Sequence, residues 1–156
     1  SHQFLVQEFA KRQIKIQYIA ICDCKPSAGT IEAPIARHPV KRQQMAVSET
    51  GKEAISTIYH LAYNERNSIV LVEPVTGRTH QIRVHLQYLR APVTGDGLYG
   101  KLGPHKRHYL HAYKLCFTHP IHRQEMKIVA PFPEDMKKFI EKEFIHHKEN
   151  ATQNFS

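Results

Sequence analysis

Apolar and polar positions alternate over residues 14–22, IKIQYIAIC, placing Ile14, Ile16, Tyr18, Ala20 and Cys22 on one face, as a half-buried strand requires. Residues 54–63 repeat the pattern with β-branched and aromatic side chains and predict a second strand. Residues 68–73, SIVLVE, are apolar on both faces and predict a central strand. Two further strands are expected over 109–118 and 125–130. Helical spacing replaces alternation in three places. Phe4, Leu5 and Phe9 suit a helix over 4–12 that has no cap before it. Ile82, Leu86 and Leu89, at i, i+4 and i+7, give a helix over 79–90 its buried stripe, with Thr79 as N-cap. Pro133 opens a last helix with acids in its first turn and Met136, Phe139, Ile140 and Phe144 on its apolar face. Turns over 25–30, 64–67 and 91–100, and a loop with short extended pieces over 31–50, join these elements. The fold class is α+β: a mainly antiparallel mixed sheet with a few helices.

A chain of 156 residues makes one domain and buries a core without a disulfide framework. No repeat or low-complexity segment interrupts it, and the polar stretch 148–156 is expected to be a mobile tail. No apolar run is long enough to span a bilayer, and the first residues lack the pattern of a signal peptide. The three cysteines (Cys22, Cys24, Cys116) fit a reducing, cytoplasmic setting.

Charge changes the picture. The net charge is +8, and it is not evenly spread. Residues 78–123 hold eight of the 22 Lys and Arg, one acid (Asp96) and seven of the twelve histidines. A segment of that kind attracts polyanions, nucleic acid first among them.

The segment opens with Gly77-Arg78-Thr79-His80-Gln81-Ile82-Arg83-Val84-His85-Leu86, and Gly95-Asp96-Gly97-Leu98-Tyr99-Gly100 follows. A strand end, a glycine turn and a helix start gather free backbone N–H groups and guanidinium groups, which suits a carboxylate or phosphate. Arg83 lies beside the Ile82/Leu86 stripe at the edge of the core, where a partly desolvated cation needs an anionic partner.

GRTHQIRVHL followed by GDGLYG resembles the signature of RluA-type RNA pseudouridine synthases. IKIQYIAI with Tyr18, GTIEAPIAR (Gly29 to Arg37), Gly51-Lys52-Glu53-Ala54 with Thr57 and Tyr59, LHAYKLCFTHP (Leu110 to Pro120) and APFPEDM extend the likeness over roughly residues 4–140. The resemblance implies an α+β catalytic domain that isomerises uridine to pseudouridine within structured RNA, rRNA or tRNA, without metal or organic cofactor. Such chemistry needs a carboxylate at the nucleoside, a cation that keeps it ionised, an aromatic surface for the unstacked base and a basic track for the RNA backbone. Carried over, Arg83 resembles the arginine that pairs with the catalytic aspartate. Tyr18 resembles the tyrosine that packs on the target base and assists proton transfer at carbon. Arg78, His80 and Gln81 position the loop or contact RNA, and Arg90, Lys106 and Arg107 extend the RNA-binding surface.

The sequence departs from that pattern at the nucleophile. The family's aspartate stands in an Arg-Leu-Asp context, and neither Asp23, Asp96 nor Asp135 has those neighbours. Ile16 stands where relatives often carry Lys or Arg. Residues 1–147 are therefore expected to be the C-terminal portion of one catalytic domain, inactive alone and monomeric. The alternative is a basic RNA-binding module without chemistry. Cys22-x-Cys24, expected to share one strand face, His105/His108/His111 and His119/His122 lack the spacing of a structural zinc site, so no metal is expected.

Overall fold

The computed structural model describes residues 15–118 and 124–145. Within them the chain forms β1 (Lys15–Asp23), β2 (Gly29–Glu32), β3 (Ile35–Arg37), β4 (Met45–Val47), β5 (Ile55–Tyr63), β6 (Asn67–Pro74), α1 (Gln81–Tyr88), β7 (Leu110–Thr118), β8 (Glu125–Val129) and α2 (Glu134–Ile140), which runs on into a π-helical turn, Glu141–Ile145. The expected helix over 4–12, the tail over 148–156 and the pair His119/His122 lie outside the described residues.

Six strands make one sheet in the order β2-β5-β6-β1-β7-β8, and β3 and β4 form a separate two-stranded ribbon. Among the described residues every strand pairing is antiparallel, so the sheet is the mainly antiparallel one expected. β6 lies between β5 and β1, as its two apolar faces require. Those faces feed separate cores. Ala20, Cys22, Ile58, Val70 and Val72 receive Ile82 and Leu86 of α1 on one side. Ile19, Ile21 and Ile69 receive Met136, Ile140 and Phe144 from the C-terminal helical segment on the other. Helix, sheet and helix thus form three layers, each buried aliphatic side chain contributing about 1.5–3 kcal/mol. Val84 of α1 and Tyr99 join Ile35 and Ala54 in a third cluster beneath the β3–β4 ribbon.

Two local features position the site. The β1–β7 register shifts between Gln17 and Tyr18, where β7 carries one extra residue, Tyr113, so a bulge in β7 lies opposite this step of β1. α1 is shorter than the sequence predicts, and Thr79 is not its N-cap. His80 holds that place in a left-handed conformation (φ 56°, ψ 23°) with no side-chain capping bond. The cap fails at Thr79 because the turn is tied from inside the helix: Gln81 Oε1 accepts from Thr76 Oγ1 at 2.7 Å and from the Arg78 N–H at 3.0 Å.

The other end of α1 closes in a Schellman turn. The Ala91 N–H donates to Leu86 O and the Arg90 N–H to Gln87 O, both at 2.9 Å, with Arg90 left-handed at φ 62°. A glycine would adopt that conformation without the Cβ penalty of about 1 kcal/mol. Arg90→Gly is expected to raise the urea midpoint slightly; a lower midpoint would show that the Arg90 side chain contributes more to the fold than its backbone costs.

Candidate active site

The cleft lies where β6 hands over to α1, on the α1 face of the sheet. It encloses about 370 Å³, and its wall includes Tyr18 of β1, the Thr76–Arg78 turn, His80, Gln81 and Arg83 of the helix start, and His108 with Leu110 at the head of β7. The sequence-predicted Tyr18, Arg78, His80, Gln81 and Arg83 are therefore brought together.

Arg83 is fixed by two parallel hydrogen bonds. Its Nε donates to Asp96 Oδ2 at 2.7 Å and its Nη2 to Asp96 Oδ1 at 2.8 Å. Asp96 is 1% exposed, and its Oδ1 also accepts from the backbone N–H groups of Leu98 and Tyr99. Burial alone would push the Asp96 carboxyl up; the Arg83 guanidinium and the two backbone donors outweigh it and hold the carboxyl below its ordinary value. The same bond raises Arg83 above its ordinary value against the opposing effect of burial. The anionic partner that Arg83 requires is thus Asp96, thirteen residues on. The guanidinium also lies over the Tyr99 ring, 5.0 Å from its centroid.

The side-chain polar atoms of Gln81 are engaged within the fold. Gln81 is 4% exposed, and besides its two acceptor bonds its Nε2 donates to Ile55 O and Ser56 Oγ, both at 2.8 Å. The Ala33 carbonyl can only accept, so His85 Nε2–H donates to it at 3.0 Å, and the bare Nδ1 of the neutral ring accepts from the Ser56 hydroxyl at 2.8 Å. The two helix-face residues Gln81 and His85 thereby lock α1 onto β5 and the chain before β3.

Burial lowers the affinity of His80, His85 and His108 for protons; Arg83 acts in the same direction on His80 and His108, while the Ala33 bond partly opposes the shift at His85. Their folded values lie below the unfolded value of about 6.5. Above that pH both states are neutral, so the native advantage is complete; as pH falls below it, the unfolded chain binds protons the native chain resists. Stability is expected to fall on acidification from pH 7.5 to 5.5, by up to about 1.4 kcal/mol per pH unit for each histidine still neutral. Urea midpoints at the two pH values check this; a flat profile would contradict the burial of these rings.

Burial also raises the Tyr18 hydroxyl, which stays protonated at neutral pH. Of the remaining predicted contacts, Arg90 and Lys106 are exposed and do not line the cleft. Arg107 is engaged elsewhere: its Nη2 donates to Asp135 Oδ1 of α2 at 2.8 Å, and its guanidinium lies 5.8 Å from the centre of the Tyr109 ring. Basic residues from outside the 78–123 segment also lie near the cleft. A second groove, about 510 Å³, runs between the β3–β4 ribbon and the Gly77–Thr79 turn and carries Arg37, Lys52 and Arg78. Gly77 and Arg78 line both cavities, so the two are neighbours.

The cysteine pair does not share a face. Cys22 is buried in β1, whereas Cys24 follows the strand end with φ 68° and is exposed. Asp96, Tyr99 and His108 were not singled out as site residues from sequence. The need of Arg83 for an anion, with Asp96 the one acid in the 78–123 segment, is the signal that could have found the first.

The three-layer fold around this cleft is that of pseudouridylate synthase domains. Human RNA pseudouridylate synthase domain containing 4 superposes with a TM-score of 0.72 at 25% identity, covering 90% of this chain and 66% of that one. The family model described as RNA pseudouridylate synthase matches residues 1–88, and the chain belongs to that family. Ribosomal large subunit pseudouridine synthase D of Xylella fastidiosa is 43% identical over 149 residues, covering 85% of this chain and 45% of the relative. The RNA pseudouridine synthase YhcT of Bacillus subtilis is 44% identical over 147 residues, covering 88% and 47%. The chain spans about half the length of these curated relatives.

Proposed function

We propose that this chain supplies the base-handling half of an RNA pseudouridine synthase, and that the full-length protein isomerises uridine to pseudouridine in structured RNA, rRNA or tRNA. The observation that carries the reading is the meeting of Tyr18 and the Asp96-fixed Arg83 in one cleft. The Tyr18 ring, beside the bulge of β7, offers a surface for an unstacked base. A guanidinium held rigid at the rim offers positive charge to a carboxylate or to the nucleotide. The adjoining groove with Arg37, Lys52 and Arg78 suits the flanking phosphates.

The nucleophilic carboxylate is expected from residues beyond this chain. Each of the three aspartates has other work: Asp96 holds Arg83, Asp135 pairs with Arg107, and Asp23 Oδ1 accepts from Thr94 Oγ1 at 2.7 Å. The protein acts as a monomer without a metal, in the cytoplasm; the free cysteines suit that reducing compartment. Among the described residues no helix is long and apolar enough to cross a membrane.

The test is pseudouridine formation on unmodified rRNA and tRNA transcripts. Full-length protein is expected to form pseudouridine, and residues 1–156 alone are expected to bind RNA with strong salt dependence but form none. Binding without conversion by the full-length protein would favour the binding-module reading. Conversion by residues 1–156 alone would refute the missing nucleophile.

A further inference from the structure

His80 is the one helix-start residue whose conformation, partner and position all need explanation together. It holds a left-handed backbone (φ 56°) that costs a non-glycine residue free energy and is typical of residues kept for their side chain. Its Nδ1 lies 2.7 Å from Tyr99 Oη, and Tyr99 Oη in turn accepts from the Met45 N–H at 2.8 Å. Tyr99 is 4% exposed. A buried hydroxyl must find an acceptor for its single proton, and His80 Nδ1 is the acceptor within reach among the described residues. The direction of the chain is therefore set: Met45 N–H to Tyr99 Oη, Tyr99 Oη–H to His80 Nδ1. His80 Nδ1 carries no proton, so the proton of the neutral ring sits on Nε2. That atom makes no hydrogen bond within the described residues, and the ring lines the cleft beside Tyr18 and Arg83.

We infer that His80 presents a single neutral N–H, fixed in tautomer by Tyr99, to a carbonyl oxygen of the base held in the cleft. The inference rests on the reading of the cleft as a uridine site. A neutral donor matches a carbonyl better than a phosphate, whose charge would draw a second proton onto the ring. Burial first, and then Arg83 on α1, His108 before β7 and Arg37 on β3, lower the affinity of the ring for a second proton, while Asp96 acts the other way. GDGLYG then has two supporting tasks: Asp96 orients Arg83 and Tyr99 orients His80, both in GRTHQIR.

The experiment uses the full-length protein. Nitrogen-15 chemical shifts of the His80 imidazole at pH 7 are expected to show Nε2 protonated and Nδ1 bare, and Tyr99→Phe is expected to abolish that preference. An imidazolium, or a proton on Nδ1, overturns the inference without reference to activity. In turnover assays at saturating RNA, His80→Asn keeps a residue tolerant of the left-handed backbone but lacks a donor at the Nε2 position; kcat is expected to drop about tenfold, the size of one lost hydrogen bond. His80→Gln, which can place an amide N–H there, is expected to recover to within a few-fold of the parent. Parent-like turnover in His80→Asn, or equal loss in both variants, overturns the inference while leaving the enzyme reading intact. Replacing the uracil carbonyls one at a time by thiocarbonyls is expected to slow the parent at one position only; sensitivity instead to phosphorothioates at the target would mean that His80 contacts phosphate and would overturn the base assignment. A full-length parent that forms no pseudouridine sinks the enzyme reading itself, and this inference with it.

Discussion

Arg83→Met is expected to destabilise the protein by about 3–5 kcal/mol, because it leaves a buried carboxylate without its cation. The Asp96 side chain has no exposed surface, and only two backbone N–H groups would remain to it. The double change Arg83→Met with Asp96→Asn removes both charges and keeps an oxygen in place for Leu98 and Tyr99. It is expected to recover most of the lost stability, since a buried pair replaced as a unit costs little. Turnover is expected to stay down by about a hundredfold or more, as for a group that stabilises developing charge. Urea titration and single-turnover assays on the parent, Arg83→Met, Asp96→Asn and the double variant separate the outcomes. A double variant as active as the parent would reduce the pair to a structural bridge, and additive stability losses would show that the two residues do not act together.

The second large effect is expected at Gly95, which precedes Asp96. Its φ is +82°, and a Cβ there would collide with the Arg107 carbonyl oxygen. Backbone, not a flexible side-chain tip, stands in the way, so the Gly95–Gly100 turn must move and carry Asp96 with it. Gly95→Ala is expected to cost about 2–4 kcal/mol, adding left-handed strain to the clash. The lesion should reach the cleft, lowering turnover of the molecules that remain folded. Thermal melts and activity per folded molecule test this. A stable Gly95→Ala protein of normal activity would mean that the turn can shift without disturbing the Asp96–Arg83 pair.

Much of this architecture was legible in the chain. Tyr18, Ala20 and Cys22 do share the face that packs on α1, and the doubly apolar β6 is central, because alternation follows directly from the pleat. The helix start was misread at Thr79 because its turn is closed by the Gln81 side chain, a bond made backward from inside the helix that no capping pattern signals. The charge was legible as a number but not as a place. Arg107 belongs to the basic segment yet is spent on Asp135, whereas Arg37 and Lys52, far away in sequence, reach the groove beside the cleft through the β3–β4 ribbon and the chain beyond it. The partner of Arg83 was foreseen as a physical need, but its identity required the fold, since Asp96 reaches Arg83 only through the turn that returns after α1.

The most direct measurement is turnover and RNA affinity of full-length Tyr18→Leu. Leucine keeps apolar volume against the sheet but removes the ring and the hydroxyl from the cleft. Pseudouridine formation at saturating RNA is expected to fall at least about a hundredfold, the usual span for losing a group at the reacting centre, while the dissociation constant for RNA stays within about threefold because the basic groove is untouched. Unchanged turnover, or a loss of affinity as large as the loss of turnover, would contradict the assignment of this cleft as the place where uridine is rearranged.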